Sequence, residues 1–304
     1  MSAKVLPGTV LVAIDSDDVI VPMWKQRLRI FMANKLAIVS CVYLVGLTLA
    51  CFIVPHLHPT NQTNQALTFG TQWNARPSKS HWLGTDSLGF DELGRILYGG
   101  EYSLTLGVLA GFITLVAGTL YGMIAGFVGG IVDTVMMRVV DAMLSIPFIF
   151  LLITLITIFG RSTSFLIIVI GVTGWFGFAR IIRADALVIR NLEYSQAARS
   201  MGASRWHIIR RHVFPNSISN IVTVATFAVA DAILFLSALG FLGLGIRAPQ
   251  TDWGTMLQAG VEQILNGFWW EVFPLATLFI LVVVAIRYIG DALRDAFEVR
   301  LIER

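Results

Sequence analysis

The feature that most constrains this chain is a series of six long apolar runs separated by polar segments. A helix needs about 20 apolar residues to cross the hydrocarbon core of a bilayer, and only helices and closed barrels satisfy their backbone hydrogen bonds in lipid. A barrel would show alternating segments of about ten residues, and this chain shows unbroken runs instead. We therefore predict an all-α polytopic membrane protein with six transmembrane helices, at residues 36–54, 104–128, 131–159, 165–182, 218–245 and 272–289.

The composition agrees with this prediction, because only 13% of the residues are charged against about 25% in soluble domains. The first apolar run is longer than the core of a signal peptide and is predicted to be a retained span. Cys41 and Cys51 share that run and would lie about 15 Å apart on one helix, too far for a disulfide. No metal-ligand spacing occurs, so we predict neither a metal site nor a cofactor. The net charge of +3 gives no indication of a nucleic-acid partner.

The distribution of basic residues predicts the orientation, because lysine and arginine are enriched in cytoplasmic segments. With the N-terminus inside, all but five of the 22 basic residues fall on the cytoplasmic side. The five exceptions are Arg76, Lys79, Arg95, Arg161 and Arg247. Both termini are therefore predicted to be cytoplasmic, in the cell (inner) membrane. The predicted layout is an N-terminal cytoplasmic segment at 1–35, the first span at 36–54, an external loop at 55–102, a membrane core at 103–291 and a cytoplasmic tail at 292–304.

The N-terminal segment ends in a predicted amphipathic helix. Apolar side chains lie on one side of it and basic side chains elsewhere, which is typical of a helix lying on a membrane face in contact with lipids. The apolar set is Trp24, Leu28, Phe31 and Met32. An ordinary basic lead-in to the first span is the alternative.

Three features inside the spans carry predictions about packing. Small residues four apart let helices approach closely, and the second span has such a repeat at Gly107, Gly111, Gly118, Gly122 and Gly126. Pro147 should kink the third span. Arg138 and Asp141 stand three residues apart and are predicted to pair on one helix face, with Asp133 close by.

The long basic segment 196–215 is the candidate functional site. Small residues followed by Gly202 predict a short helix that ends in a left-handed cap. A second short helix should follow, with Trp206, Ile209 and Val213 on one face, and Pro215 should end it. An amphipathic helix seated in a groove is a common mode of recognition. A basic loop resting on anionic lipid headgroups is the alternative.

The order of residues in this segment resembles a known motif. Gln196-Ala197-Ala198, then Gly202, then Pro215 at the family's spacing resemble the "EAA" motif of ABC importer permeases. Gln196 replaces the usual glutamate, and His212 and Phe214 replace the usual isoleucine and leucine. The resemblance implies the type I ABC importer permease fold and a loop that docks on an ATPase subunit. The residues predicted for this coupling role, from the motif and from the amphipathic second helix together, are Gln196, Ala197, Ala198, Gly202, Arg205, Trp206, Arg210 and Pro215.

Other motifs narrow the resemblance to the dipeptide, oligopeptide and nickel permeases, C-type subunit. They are the stretch His81-Trp82-Leu83-Gly84-Thr85-Asp86, the stretch 241–245 followed by Asp252-Trp253-Gly254, and Gly290-Asp291. The family resemblance implies a homologous permease as heterodimer partner, two ATPase subunits, an extracytoplasmic solute-binding protein, and di- or oligopeptides as cargo. Nickel complexes are the alternative cargo.

No catalytic residue is predicted, because the chain has neither a phosphate-binding G-x4-G-K-[ST] motif nor a nucleophile and base in a recognisable arrangement. An enzyme is therefore not expected.

Asp231 lies deep in the fifth apolar run, where a charge is costly and usually functional. We predict either that it faces the translocation path and contacts a cationic or amine group of the cargo, or that it makes a helix–helix hydrogen bond. A stand-alone ion-coupled carrier or a membrane scaffold is the alternative of a different class.

Overall fold

The computed structural model describes residues 23–58, 60–64 and 72–298, and in these ranges regular structure is almost wholly helical. In chain order the helices are α1 (Met23–Ala33), α2 (Lys35–Leu57), α3 (Glu92–Val128), α4 (Gly130–Leu144), α5 (Phe148–Phe159), α6 (Thr163–Arg190), α7 (Glu193–Ser200), α8 (Arg205–Ile208), α9 (Phe214–Asn216), α10 (Ile218–Phe241), α11 (Trp253–Ile264) and α12 (Phe273–Glu298). A π-helical turn, Ile209–Val213, joins α8 to α9, and a 3-10 turn, Trp269–Glu271, precedes α12.

Among the described residues, five helices are long and apolar enough to cross a membrane: α2, α3, α6, α10 and α12. Helices α4 and α5 together form a sixth candidate span that is bent by 80°. Pro147, the residue before α5, lies at this bend. The helix bends here because proline lacks the N–H that a continuous helix would require. The six predicted apolar runs are thus confirmed as helices, and so is the bend in the third.

Helix α3 begins at Glu92, well before its predicted start at residue 104 and inside the segment predicted as an external loop. Asp91 caps it, because one carboxylate oxygen accepts the Gly94 amide at 2.7 Å. The indole of Trp253 donates to the Ile96 carbonyl at 3.0 Å and so holds the first turns beneath α11. A cap and a tertiary contact therefore extend the helix through residues that hydropathy alone assigns to a loop.

The glycine repeat of the second span, from Gly107 to Gly126, forms a stripe on α3 and lets two neighbouring helices pack closely against it. A Cβ added at Gly122 would lie 2.5 Å from the carbonyl oxygen of Ala179 in α6, and one at Gly111 would lie 2.9 Å from Val229 in α10. Close packing along the stripe is thus confirmed, and the stripe is shared between two neighbouring helices.

The predicted pairing of Arg138 with Asp141 is wrong. Asp141 instead pairs with Arg180 of α6, and Asp133 makes a two-point contact with Arg183 of α6 at 2.5 and 2.6 Å. Because α4 runs beside α6, the guanidinium groups of the neighbouring helix are better placed than the one on α4 itself.

Candidate functional site

The predicted site lies in the connection between α6 and α10, the two helices that flank α3. It consists of α7, a turn, and then α8, the π-helical turn and α9 in near-continuous succession. Gly202 forms the turn at φ +83°, a conformation that glycine adopts without steric strain. The Ala203 amide donates to the Ala198 carbonyl at 3.1 Å, as in a glycine-terminated helix end. Ser204 then begins α8, because its hydroxyl accepts the His207 amide at 3.2 Å.

The inner face of this connection is anchored to the helices above it. Ile208 and Val213 are fully buried in a cluster with Phe127 of α3 and Ile182 of α6. Arg199 adds a cation–π contact with the Phe127 ring at 5.5 Å. The connection is thus fixed to the end of α3 and cannot move independently of it without exposing this cluster.

The outer face presents apolar and basic side chains together. Met201 is 81% exposed and Trp206 is 61% exposed. Between residues 193 and 216 the chain carries one acidic side chain, Glu193, and four arginines, which are Arg199, Arg205, Arg210 and Arg211. Aromatic residues, methionine and arginine are enriched at interfaces between proteins.

Of the eight residues predicted to act here, seven are exposed, namely Gln196, Ala197, Gly202, Arg205, Trp206, Arg210 and Pro215. Ala198 is buried against the anchoring cluster instead. The Gln196 amide donates to the Asn191 carbonyl at 3.0 Å. A glutamate at this position would accept hydrogen bonds when ionised and could not make this contact.

Two details of the predicted second helix are wrong. Trp206 does not share a buried face with Ile209 and Val213, because Ile208 takes the inward position. Pro215 does not end the helix, which continues to Asn216. A π-helical turn lies between Trp206 and Pro215, and in it the Phe214 amide donates to the Ile209 carbonyl. The wider turn shifts the helical faces and changes the hydrogen-bond register before the proline.

Asp231 lies far from this surface, in the middle of α10. Its Oδ1 atom lies 3.4 Å from Nη2 of Arg287 in α12, so the predicted contact between helices is present, with an arginine as partner. Sequence reasoning missed Arg287, which was counted with the cytoplasmic segment. Its position inside the last apolar run was the signal that could have identified it.

The described residues hold no group of three histidine, cysteine, aspartate or glutamate side chains that could bind a metal ion. The geometry places an exposed surface with apolar and basic side chains at one end of α3 and an ion pair between α10 and α12.

Two family matches cover most of the chain. Residues 118–303 match the family described as binding-protein-dependent transport system inner membrane component. Residues 22–77 match the N-terminal TM domain of oligopeptide transport permease C.

Individual relatives agree with these matches. The dipeptide transport system permease protein DppC of Bacillus subtilis is 39% identical over 268 residues, covering 88% of this chain and 83% of the relative. The oligopeptide transport system permease protein OppC of Haemophilus influenzae is 37% identical over 281 residues, covering 91% of this chain and 88% of the relative.

A solved structure of the MetNI methionine ABC transporter in inward-facing conformations has a TM-score of 0.54 at 22% identity, covering 67% of this chain and 97% of that chain. This likeness shows that the two share a fold, which confirms the predicted permease architecture.

Proposed function

This chain belongs to the family of binding-protein-dependent transport system inner membrane components, and we propose that it forms half of the translocation path of an ATP-driven importer of di- or oligopeptides. It is a multi-pass inner membrane protein and a transport permease, not an enzyme. A homologous permease would supply the other half of the path, two ATPase subunits would bind inside, and a solute-binding protein would deliver cargo outside.

The observation that carries the proposal is the combination of an anchored inner face and an exposed outer face in the connection between α6 and α10. Ile208 and Val213 tie the connection to the end of α3, while Met201 and Trp206 remain exposed. We assign this outer face to the docking of an ATPase subunit. Because α6 and α10 both lead directly from the connection, a displacement of the docked loop would move both helices and change the access of the path.

Co-purification of the ATPase tests this assignment. Gly202→Asp adds an acidic group at the turn and strains a backbone at φ +83°, and Trp206→Glu replaces the exposed indole by a carboxylate. We expect both variants to lose the ATPase from a complex purified in detergent and to keep the partner permease.

Gly267→Asp is the matched control. Gly267 also has a positive φ, of +86°, and open space around an added Cβ, and its amide donates to the carbonyl three residues earlier as that of Gly202 does, but it lies after α11, outside the connection. This variant should retain the ATPase. If Gly202→Asp and Trp206→Glu retain it as well, the docking assignment is wrong.

Peptides are the proposed cargo because two relatives, each matched over more than four fifths of its own length, are named as dipeptide and oligopeptide transport proteins. Uptake of labelled di- and oligopeptides by proteoliposomes that contain the full complex, together with its binding protein, tests the cargo class. Uptake of a nickel complex, with no uptake of peptides, would replace this cargo by the alternative.

We also propose that both termini are cytoplasmic and that α1 lies on the inner membrane face. Trp24, Leu28 and Met32 form an exposed apolar row on α1, with Lys25 and Arg29 beside it. Such a helix fits the boundary between anionic headgroups and acyl chains. The proposed partner of this row is membrane lipid.

A further inference from the structure

Asp231 and Arg287 meet at the middle depth of the helix bundle. A Cβ added at Gly107 would touch Ile233, and one at Gly111 would touch Val229, so Asp231 is level with the midpoint of α3. Arg287 reaches the same level from α12. Both charges therefore lie inside the helix bundle, within helices that are long and apolar enough to cross a membrane.

The pair is loosely closed. One oxygen of Asp231 and one nitrogen of Arg287 approach to 3.4 Å, and the two side chains are 40% and 49% exposed. By contrast, Asp133 and Arg183 make a two-point contact at 2.5 and 2.6 Å, with side-chain exposures of only 12% and 32%. The Asp231–Arg287 pair thus keeps surface from which each charge can reach a further partner.

The exposed side of this pair is unsuited to lipid. A charge at the centre of a bilayer is costly and almost always faces a bundle interior or a water-filled cavity. On α10 the partly exposed residues Phe227, Leu234 and Ala238 lie on the same helical face as Asp231, and further partly exposed residues lie on other faces. In the assembled transporter this face must therefore line the path or the boundary with the second permease.

We propose that Asp231 and Arg287 form a binding station in the path for the charged ends of a peptide, an inference that rests on the proposed function. The Asp231 carboxylate would receive the α-ammonium group, and the Arg287 guanidinium would receive the α-carboxylate in its planar, two-point geometry. The empty station is neutral because the two side chains pair with each other. A zwitterionic peptide is also neutral overall. Its binding replaces the ion pair between Asp231 and Arg287 by two ion pairs, one at each end of the peptide.

Such a station need not bind tightly. Conduction requires contacts that are favourable enough for entry and weak enough for release. The single contact at 3.4 Å opens more readily than a two-point pair, and the cation–π contact of Arg287 with the Phe227 ring, at 5.6 Å, keeps the guanidinium supported while it exchanges partners.

The test compares a free dipeptide with the same dipeptide capped by N-acetyl and C-amide groups, in proteoliposomes that contain the full complex and its binding protein. The variant is the near-isosteric double substitution Asp231→Asn with Arg287→Gln, which removes both charges together and leaves no unpaired one. For each peptide the rate of the variant is divided by the rate of the wild type, so the preference of the binding protein cancels. The matched control is Asp141→Asn with Arg180→Gln, a second ion pair between helices with both side chains 51% exposed.

We expect the double variant to assemble normally, to lose about tenfold or more in transport of the free dipeptide, as the loss of charge-assisted hydrogen bonds implies, and to transport the capped dipeptide at close to the wild-type rate. The control should change both rates by the same factor. Equal ratios for the free and capped dipeptides in the test variant would overturn the inference.

Two other outcomes are distinct from that one. Loss of the partner permease on purification of the double variant would assign the pair to the boundary between permeases and would also overturn the inference. Failure of the wild-type complex to move either peptide would instead refute the proposed cargo and, with it, the station.

Discussion

The His81 ring nitrogen Nδ1 lies 2.8 Å from one carboxylate oxygen of Asp91, while the other oxygen of Asp91 accepts the amide of Gly94 at 2.7 Å. Asp91 therefore joins the polar segment 72–90 to the first turn of α3. The side chain of Asp91 is almost fully buried, so the joint is part of the core at this end of the bundle.

We predict that Asp91→Ala lowers the unfolding free energy by about 1–2 kcal/mol, because it removes the helix cap together with the contact to His81. Asp91→Asn keeps an acceptor for the Gly94 amide and should lose less. Thermal unfolding of the detergent-solubilised chain, followed by circular dichroism, measures both. Equal losses in the two variants would show that the cap contributes little.

Gly122→Ala should destabilise the chain by about 1–3 kcal/mol, the usual cost of overpacking. The added Cβ would lie 2.5 Å from the Ala179 carbonyl oxygen and 3.0 Å from the Arg183 amide nitrogen, so α3 and α6 would have to separate. Gly177→Ala in α6 is the control, because nothing lies within 4 Å of its added Cβ and alanine favours the helix. The unfolding midpoints of the two variants of the isolated chain measure the difference. A Gly122→Ala variant as stable as the Gly177→Ala control would contradict close packing at Gly122.

The two ion pairs between α4 and α6 should differ in strength. Asp133→Ala should cost about 2 kcal/mol, because it leaves the partly buried Arg183 without its two-point partner. Asp141→Ala should cost less than about 1 kcal/mol, since Asp141 and Arg180 are both half-exposed. Chemical denaturation of the two variants measures the difference. The reverse order would place the stronger link at the exposed pair.

Stability at the α11 end should depend on the ionisation of Asp252, which is fully buried. Burial raises the pKa of this carboxyl above its ordinary value of 3.8, and hydrogen bonds from Ile246 and Thr255 offset part of the rise. The folded chain thus binds the proton of the Asp252 carboxyl more tightly than the unfolded chain does. The stability that this protonation contributes is complete below the ordinary pKa and is lost as the pH rises through the folded-state pKa.

Asp252→Asn cannot ionise and lacks this dependence. The unfolding free energy of the wild type, measured relative to Asp252→Asn, should therefore fall as the pH rises above 3.8. Unfolding of both proteins across this pH range gives the difference directly. A difference that stays constant, or that grows with pH, would contradict the raised pKa.

The outward row of α1 should lie in the membrane interface. Arg27 stacks on the Phe297 ring at 4.4 Å and holds one side of α1 to α12, leaving Leu28 52% exposed. A spin label at Leu28→Cys, in a Cys41→Ala background, should be relaxed by oxygen dissolved in the bilayer more than by a water-soluble nickel chelate, in nanodiscs with anionic lipid. A label at Trp206→Cys is the water-exposed control, and the same preference for the chelate at both positions would refute the lipid contact.

Much of the fold was predictable because hydropathy and backbone chemistry act locally. The apolar runs identified the spans, since a bilayer requires length and apolarity whatever the neighbours are. Pro147 predicted the bend for the same kind of reason, because its missing N–H removes a hydrogen bond that a continuous helix would make. Gly202 predicted the turn in the connection, where φ is indeed positive.

The partners of particular side chains were not predictable in this way. Asp141 pairs with Arg180 and not with Arg138, and Asp231 meets an arginine 56 positions along the chain. The π-helical turn at Ile209–Val213 was not predictable either, because a period of 3.6 residues does not reveal it.

The sequence by itself determined which apolar runs form spans, where the third run bends and where Gly202 turns the chain, because each of these follows from residues close together in the chain. The tertiary structure alone decided which faces meet. In a span that is apolar on every side, hydropathy does not distinguish a face toward lipid from a face toward another helix. The choice between them is made by close packing, as at Gly111 and Gly122, and by the placement of single charges such as Arg183 and Arg287.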